Sequence, residues 1–283
     1  MVIGGVSALT QPLVYLHFHK AGGSTACAIM RLGPLNVSGH ENCNCESQVF
    51  LQSLHDGDGV GVAHYMLSEN LDVCFVEHMD WWPKPTMLPK LKQHVRIATT
   101  LREPWARLLS NYERDVSLCR GCNRSSSLES YMIMQGCYPS IRFSVQLPDF
   151  HVRSLSGKAT RSTTDVASLN ISDLDAAQWA LTKFDHVFLL ENAHFTERIA
   201  ALARIPEGSL TSIEAVHESN NRYSHFQTSS DLLPPCIHEA RAKTELHEQW
   251  LTRQSRLDAH LYEWASRSLP TSGRVEVFQR ILL

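Results

Sequence analysis

The chain reads as an α/β protein with a central parallel sheet flanked by helices. Three observations predict this. Short apolar, β-type runs alternate with helical stretches, the pattern of βαβ units. The first run enters a Gly-Gly turn that opens directly into a helix. Apolar residues make up 43% of 283 positions, enough to bury the core of a single domain spanning 1–283.

The elements follow in order. Val14, Leu16 and Phe18 alternate with polar or aromatic neighbours and predict a strand over 13–19; Ala26 to Leu32 favours a helix over 23–32. An irregular Cys- and Gly-containing stretch then extends to Gly61. Strands are expected at 73–76 and 95–101, the second followed by a helix over 104–118, whose first turn suits Pro104. A helix over 126–134 precedes a mostly looped region to Ser172, with a short helix near 143–155. Ser172 is the expected cap of a helix reaching Lys183. A strand over 186–190, a helix over 193–204, a long polar loop and a terminal helix over 237–268 complete the order.

The turn after the first strand reads Phe18-His19-Lys20-Ala21-Gly22-Gly23-Ser24-Thr25. Glycines allow a backbone to approach an anion, and a helix start presents free N–H groups with a partial positive charge. Lys20 adds a full charge, and Ser24 and Thr25 add donors. The segment therefore reads as a phosphate or sulfate cradle, against the plainer alternative of a βα turn with a surface lysine. In the nucleoside-triphosphatase loop the lysine follows the glycines. Here it precedes them, which argues against an ordinary ATP or GTP site.

A second segment, Leu101-Arg102-Glu103-Pro104-Trp105-Ala106-Arg107-Leu108-Leu109-Ser110-Asn111-Tyr112, places Arg102 at a strand end and Ser110 two turns into a helix. Together the two segments resemble the cofactor motifs of sulfotransferases that use 3′-phosphoadenosine 5′-phosphosulfate (PAPS). The resemblance is nearest to the Golgi carbohydrate branch, the heparan sulfate 6-O- and 2-O-type enzymes. It implies a P-loop-like sulfotransferase fold. It also implies that Lys20 and Ala21 to Thr25 hold the 5′-phosphosulfate, that Arg102 and Ser110 hold the 3′-phosphate, and that 3′-phosphoadenosine 5′-phosphate (PAP) is the product.

Further segments carry the resemblance along the chain. Phe150-His151-Val152-Arg153-Ser154-Leu155 is similar to the branch's N-x-Q-V-R-x-L segment, without its Asn and Gln. Leu174 to Glu191 resembles its helix–strand unit, and Leu257-Asp258-Ala259-His260-Leu261-Tyr262 its C-terminal L-D-x-x-L-Y helix. Gly61-Val62-Ala63-His64 loosely resembles the segment that carries the 6-O enzymes' base. His19 and Ala21 stand where the family commonly has Pro and Thr, and the Asp and Trp that follow the 6-O histidine are missing after His64.

Sulfuryl transfer needs a base for the acceptor hydroxyl, and histidine suits that role near neutral pH. Of fifteen histidines, His64 is the expected base, with Lys20 the other catalytic residue; His17, His19 and Glu77 are the alternatives. Trp81 and Trp82 are expected to stack on an acceptor, unless one merely packs in the core, and Arg153 is expected at the acceptor too. Arg222 and Ser224, in the polar loop before the last helix, correspond to a family loop that closes over the nucleotide. The sulfuryl group carries a single charge, so no metal is expected.

A net charge of −3 says little, but Arg102, Arg107, Arg114, Arg120 and Arg124 cluster, with Arg142, Arg153, Lys158 and Arg161 beyond them. Local potential matters more than the total, although such arginines also line solvated helix faces. No motif supports nucleic-acid binding. Eight cysteines include Cys43-x-Cys45 and Cys119-x-x-Cys122. The even count suits disulfides in an oxidising compartment, with connectivity open, and the two close pairs leave zinc as an alternative. Asn36, Asn123 and Asn170 head glycosylation triplets. No apolar run is long enough to cross a membrane. The expected setting is the Golgi lumen, as the catalytic region of an anchored enzyme, with a cytoplasmic protein as the alternative. The expected partner is an acceptor glycan. A small hydroxylated molecule or a protein tyrosine is the alternative acceptor, and a nucleotide kinase or an inactive sulfated-glycan-binding module the alternative function.

Overall fold

A computed structural model of the chain describes residues 11–77, 79–118, 127–132, 147–158, 168–206 and 244–269. The strands are β1 (Leu13–Leu16), β2 (Val73–Val76), β3 (Arg96–Leu101) and β4 (His186–Leu189). The helices are α1 (Gly23–Leu32), α2 (Gln48–His55), α3 (Gly59–Ser68), α4 (Leu88–Leu91), α5 (Pro104–Leu118), α6 (Leu128–Met132), α7 (Phe150–Leu155), α8 (Ile171–Leu181), α9 (Phe195–Leu202), α10 (Thr244–Gln249) and α11 (Arg256–Ser268). All four strands are parallel, in the order β2-β1-β3-β4.

Each strand is buried on both faces, as parallel strands under helices must be. Leu13, Tyr15, Phe75, Ala98 and Phe188 face α1 and α9. Val14, Leu16, Val76, Ile97, Val187 and Leu189 face a larger core shared with α2, α3, α4, α7, α8 and α11. Trp105, Leu108 and Tyr112 of α5 form a third cluster with α6 and Trp250. The chain passes from β1 to β2 on one side and from β3 to β4 on the other. The crevice outside the carboxyl ends of β1 and β3 is therefore the topological switch point, where α/β sheets bind ligands.

The stretch expected to be irregular up to Gly61 contains α2 and the first residues of α3. Gly57 and Gly59 obscure the periodicity, yet they end one helix and begin the next: Gly57 lies in the left-handed region, and its N–H donates to the Leu54 carbonyl. The cap of α8 is Asn170, not Ser172. Its carboxamide oxygen accepts from the Ser172 and Asp173 amides, and Asp173 answers to the Asn170 N–H in a capping box. The terminal helix is divided by a π-turn over Trp250–Gln254, closed by the Ser255 N–H on the Trp250 carbonyl.

Two disulfides, Cys27–Cys43 and Cys45–Cys74, fasten α1 and the edge strand β2 to the segment between them. That segment also bridges β2 at Val37 and Asn44 and so covers the sheet edge. With Cys43 and Cys45 oxidised, the zinc alternative loses two of its four ligands. Cys119 and Cys122 lie outside the described residues, as do Arg120, Arg124, Arg142 and Arg161.

Candidate functional site

The cradle is built where β1 ends. The His17 N–H still pairs with the Val76 carbonyl; the chain then turns, with the Ala21 N–H donating to the Phe18 carbonyl. Lys20 takes a positive φ of 63° to make that turn, and Gly22 a φ of 82° as the residue preceding α1. The two glycines have distinct steric reasons. A Cβ on Gly22 would fall 2.6 Å from the Leu190 side chain, and one on Gly23 would overlap the His17 ring at 1.8 Å. Gly23 therefore answers to His17 packing beneath it. No side chain caps the start of α1, so its first N–H groups are left to other acceptors. Ser24 donates its hydroxyl to the Asn42 carboxamide oxygen at 2.7 Å.

Charge converges here from all four strand ends. Lys20 follows β1, Glu77 follows β2, Arg102 follows β3 and Glu191 follows β4. Arg102 donates from Nη1 to the Lys20 carbonyl at 3.0 Å and lies 3.5 Å from a Glu191 carboxylate oxygen. The Lys20 ammonium is pushed down to about 8, by burial first and then by Arg114 and Arg102, whose repulsion exceeds the pull of Asp115 and Glu113. A half-buried cation beside two arginines and an uncapped helix start has the chemistry to meet an anion.

Beside it stands a three-residue chain. The His19 Nδ1 is 2.7 Å from a Glu77 carboxylate oxygen, and its Nε2 is 2.7 Å from Arg114 Nη1. Arg114 can only donate, so Nε2 is the acceptor and Nδ1 carries the proton given to Glu77. The Asn44 amide donates to the second Glu77 oxygen at 3.2 Å. Burial by itself would raise the Glu77 carboxyl, but the His19 hydrogen bond and the charges of His17 and His19 hold it far below the usual carboxylate range. His19 is lowered, by burial first and then by Arg114 and Lys20, against the pull of Glu77.

The expected site residues fall into groups. Lys20, Ala21, Gly22, Gly23, Ser24, Thr25 and Arg102 share the cradle. Ser110 lies one helical turn from Arg114 on α5, the same side of the helix. His64 is not brought to the cradle. It is exposed on α3, in a shallow groove with Ser47, Val49, Ser53 and Tyr65. Trp82 is 3% exposed and packs near Phe184 in the large core, so it presents no face to an acceptor; Trp81 is half-buried against His55. Arg153 is 6% exposed, with Asp149, Asp258 and Asp173 as its surrounding charges. Its position is that of a core cation, not an acceptor ligand. Arg107 is likewise buried, its guanidinium 4.7 Å from the centre of the Phe150 ring. Arg222 and Ser224 lie outside the described residues.

The segments that carry the family resemblance touch one another. Asp258 of α11 accepts the His151 and Val152 amides of α7 at 3.0 and 2.8 Å, capping that short helix. Tyr262, one turn later, donates to Glu191 at 2.7 Å. The links from Arg114 to His19 and from Tyr262 to Glu191 could not be foreseen, because each joins positions far apart in the chain.

No protein-family model, curated protein or solved structure matches this chain.

Proposed function

We propose that the protein is a sulfotransferase that moves a sulfuryl group from PAPS to an acceptor hydroxyl, with a glycan as the acceptor class. The observation that carries this reading is the Arg102–Lys20 bond, which joins two cationic anion-binding segments at the switch point of a parallel sheet. One cation there, Lys20, lies beside an uncapped helix start and suits a group whose charge grows during reaction. The other, Arg102, suits a fixed phosphate. A bisphosphorylated nucleotide donor needs both.

On this reading Lys20 and the first amides of α1 hold the phosphosulfate, while Arg102 and Ser110 hold the 3′-phosphate. Lys20 stabilises the negative charge left on the 5′-phosphate as the S–O bond breaks. The P-loop-like sulfotransferase fold accords with the four-stranded parallel sheet and its β1–turn–α1 unit. Two disulfides indicate a secreted or luminal compartment, and the Golgi lumen is the proposed one. Among the described residues no helix is long and apolar enough to cross a membrane.

Calorimetry with PAP and with ATP tests the reading. PAP is expected to bind at least tenfold more tightly, and equal affinity for the two would overturn it. A screen of glycan acceptors with labelled PAPS then defines the substrate.

A further inference from the structure

We propose that His19 is the general base that takes the acceptor proton, with Glu77 orienting its ring and Arg114 holding the acceptor's place. This rests on the sulfuryl-transfer reading above and assigns the group that the reading lacks once His64 lies elsewhere.

His19 immediately precedes Lys20, and the Lys20 charge acts on its ring, which puts the ring within reach of the anion that Lys20 would hold. Its side chain is 14% exposed, buried enough to be fixed yet open to an incoming hydroxyl. Glu77 fixes the tautomer: Nδ1–H points to the carboxylate at 2.7 Å and leaves the Nε2 lone pair on the other side. Asn44 fixes Glu77 in turn. The arrangement is a nitrogen base held by a third group, as nucleophile activation requires. The Arg114 Nη1, 2.7 Å from Nε2, occupies a hydrogen-bond donor's position, the one an acceptor O–H would take.

The step balances. The acceptor oxygen bonds to sulfur as the sulfur–oxygen bond to the 5′-phosphate breaks, and that electron pair stays on the phosphate. The hydroxyl proton passes to His19 Nε2, and Glu77 compensates the imidazolium. A protonated Nε2 cannot accept from Arg114, so the guanidinium leaves this bond as charge develops beside Lys20. The groups facing His19 are Glu77 at the end of β2, Arg114 of α5, and Lys20 and His17 on its own segment. Burial and the two cations keep the ring neutral, so it enters the reaction able to accept a proton.

The test compares the parent with His19→Gln, which keeps a donor for Glu77 and an acceptor for Arg114 but has no basic nitrogen. PAP affinity is read by calorimetry. Transfer from labelled PAPS is read with desulfated heparin, desulfated chondroitin and water as acceptors. Nitrogen-15 NMR of the histidines reads the tautomer directly. The expected result is an unchanged PAP affinity, a loss of transfer of about 100-fold or more, and loss of the acid limb of the parent's pH profile. The parent should show an Nδ1–H signal that disappears in the variant. Near-parent transfer by His19→Gln overturns the proposal, as does a parallel loss of PAP affinity, which would make His19 a part of the cradle. Failure of the parent to bind PAP is a separate outcome that overturns the sulfuryl-transfer reading itself.

Discussion

The Tyr262 hydroxyl donates to the Glu191 carboxylate at 2.7 Å, and through it the C-terminal helix reaches Arg102. The same Glu191 oxygen accepts the Glu103 N–H at 3.2 Å, and Arg102 continues to the Lys20 carbonyl. One carboxylate thus gathers the ends of β3 and β4 with α11, and its charge is shared among three partners. The share left for Arg102 decides how strongly that guanidinium meets another anion.

The first prediction tests this sharing. Tyr262→Phe removes one donor, so Glu191 holds Arg102 more tightly and competes better with a phosphate. PAP binding should weaken several-fold, the equivalent of about 0.5–1.5 kcal/mol for one hydrogen bond. Calorimetry checks it; an unchanged Kd would mean that α11 does not tune the site.

The second prediction concerns Lys20. Its ammonium titrates at about 8 in the free protein, so part of the population is neutral in mildly alkaline buffer. A bound phosphate or sulfate favours the charged form and raises that value. Binding at pH 8–9 should therefore take up a proton, and the observed enthalpy should vary with the ionisation enthalpy of the buffer. Affinity should fall as pH rises above 8. Lys20→Ala should abolish the uptake and lower turnover strongly. Arg102→Ala should keep the uptake while weakening PAP by about 1.5–3 kcal/mol, one charge-assisted contact.

Much of this frame is legible in the sequence, for local reasons. Val14, Leu16 and Phe18 announce a strand, and Gly22 and Gly23 announce the turn that opens α1, because both depend on neighbours in sequence. The pairing of Lys20 with Arg102 follows from parallel strands bringing their carboxyl ends together. What stays hidden is set at long range. The aromatic pair Trp81-Trp82 looks like a sugar platform, but Trp82 is needed to fill space against Phe184. His64 fits a local pattern, yet helix α3 turns it to solvent. Arg153 reads as a surface cation, while the carboxylates that bury it come from α8, α11 and Asp149, beside its own helix. The cysteine spacing shows two close residues without showing that each pairs elsewhere, Cys43 with α1 and Cys45 with β2.

The third prediction concerns Asp258. Its carboxyl is fully buried and pushed up to about 7, by burial first and then by Asp149, with Arg107 and two backbone amides pulling the other way. A carboxyl raised above its unfolded value of about 3.9 keeps its proton longer in the folded state. Its contribution to stability is therefore greatest below pH 4 and is lost as pH rises toward 7. The thermal midpoint of the parent should show this decline between pH 5 and 7.5, and Asp258→Asn should flatten it. Asp258→Ala leaves the His151 and Val152 amides without their acceptor and should cost about 3 kcal/mol or more. Parallel pH curves for the parent and Asp258→Asn would refute the assignment.

The fourth prediction separates the two disulfides. Cys27–Cys43 closes a separation of 16 residues and Cys45–Cys74 one of 29. The chain-entropy relation gives stabilisations of about 3 and about 3.5 kcal/mol. Replacing either pair with alanines should lower the thermal midpoint by at least about 6 °C. The two should differ at the cradle. Cys27 lies in the first turns of α1. Cys43 stands between Asn42, which accepts the Ser24 hydroxyl, and Asn44, which donates to Glu77. Loss of this bridge loosens both the helix start and the support of the His19–Glu77 pair. Cys45–Cys74 instead ties the covering segment to β2, below the strand end. The double variant Cys27→Ala/Cys43→Ala should therefore weaken PAP binding several-fold beyond its thermal penalty, while Cys45→Ala/Cys74→Ala should keep near-parent affinity at temperatures where it remains folded. Equal affinities in the two variants, measured by calorimetry well below both midpoints, would show that the first bridge stabilises the fold without shaping the cradle.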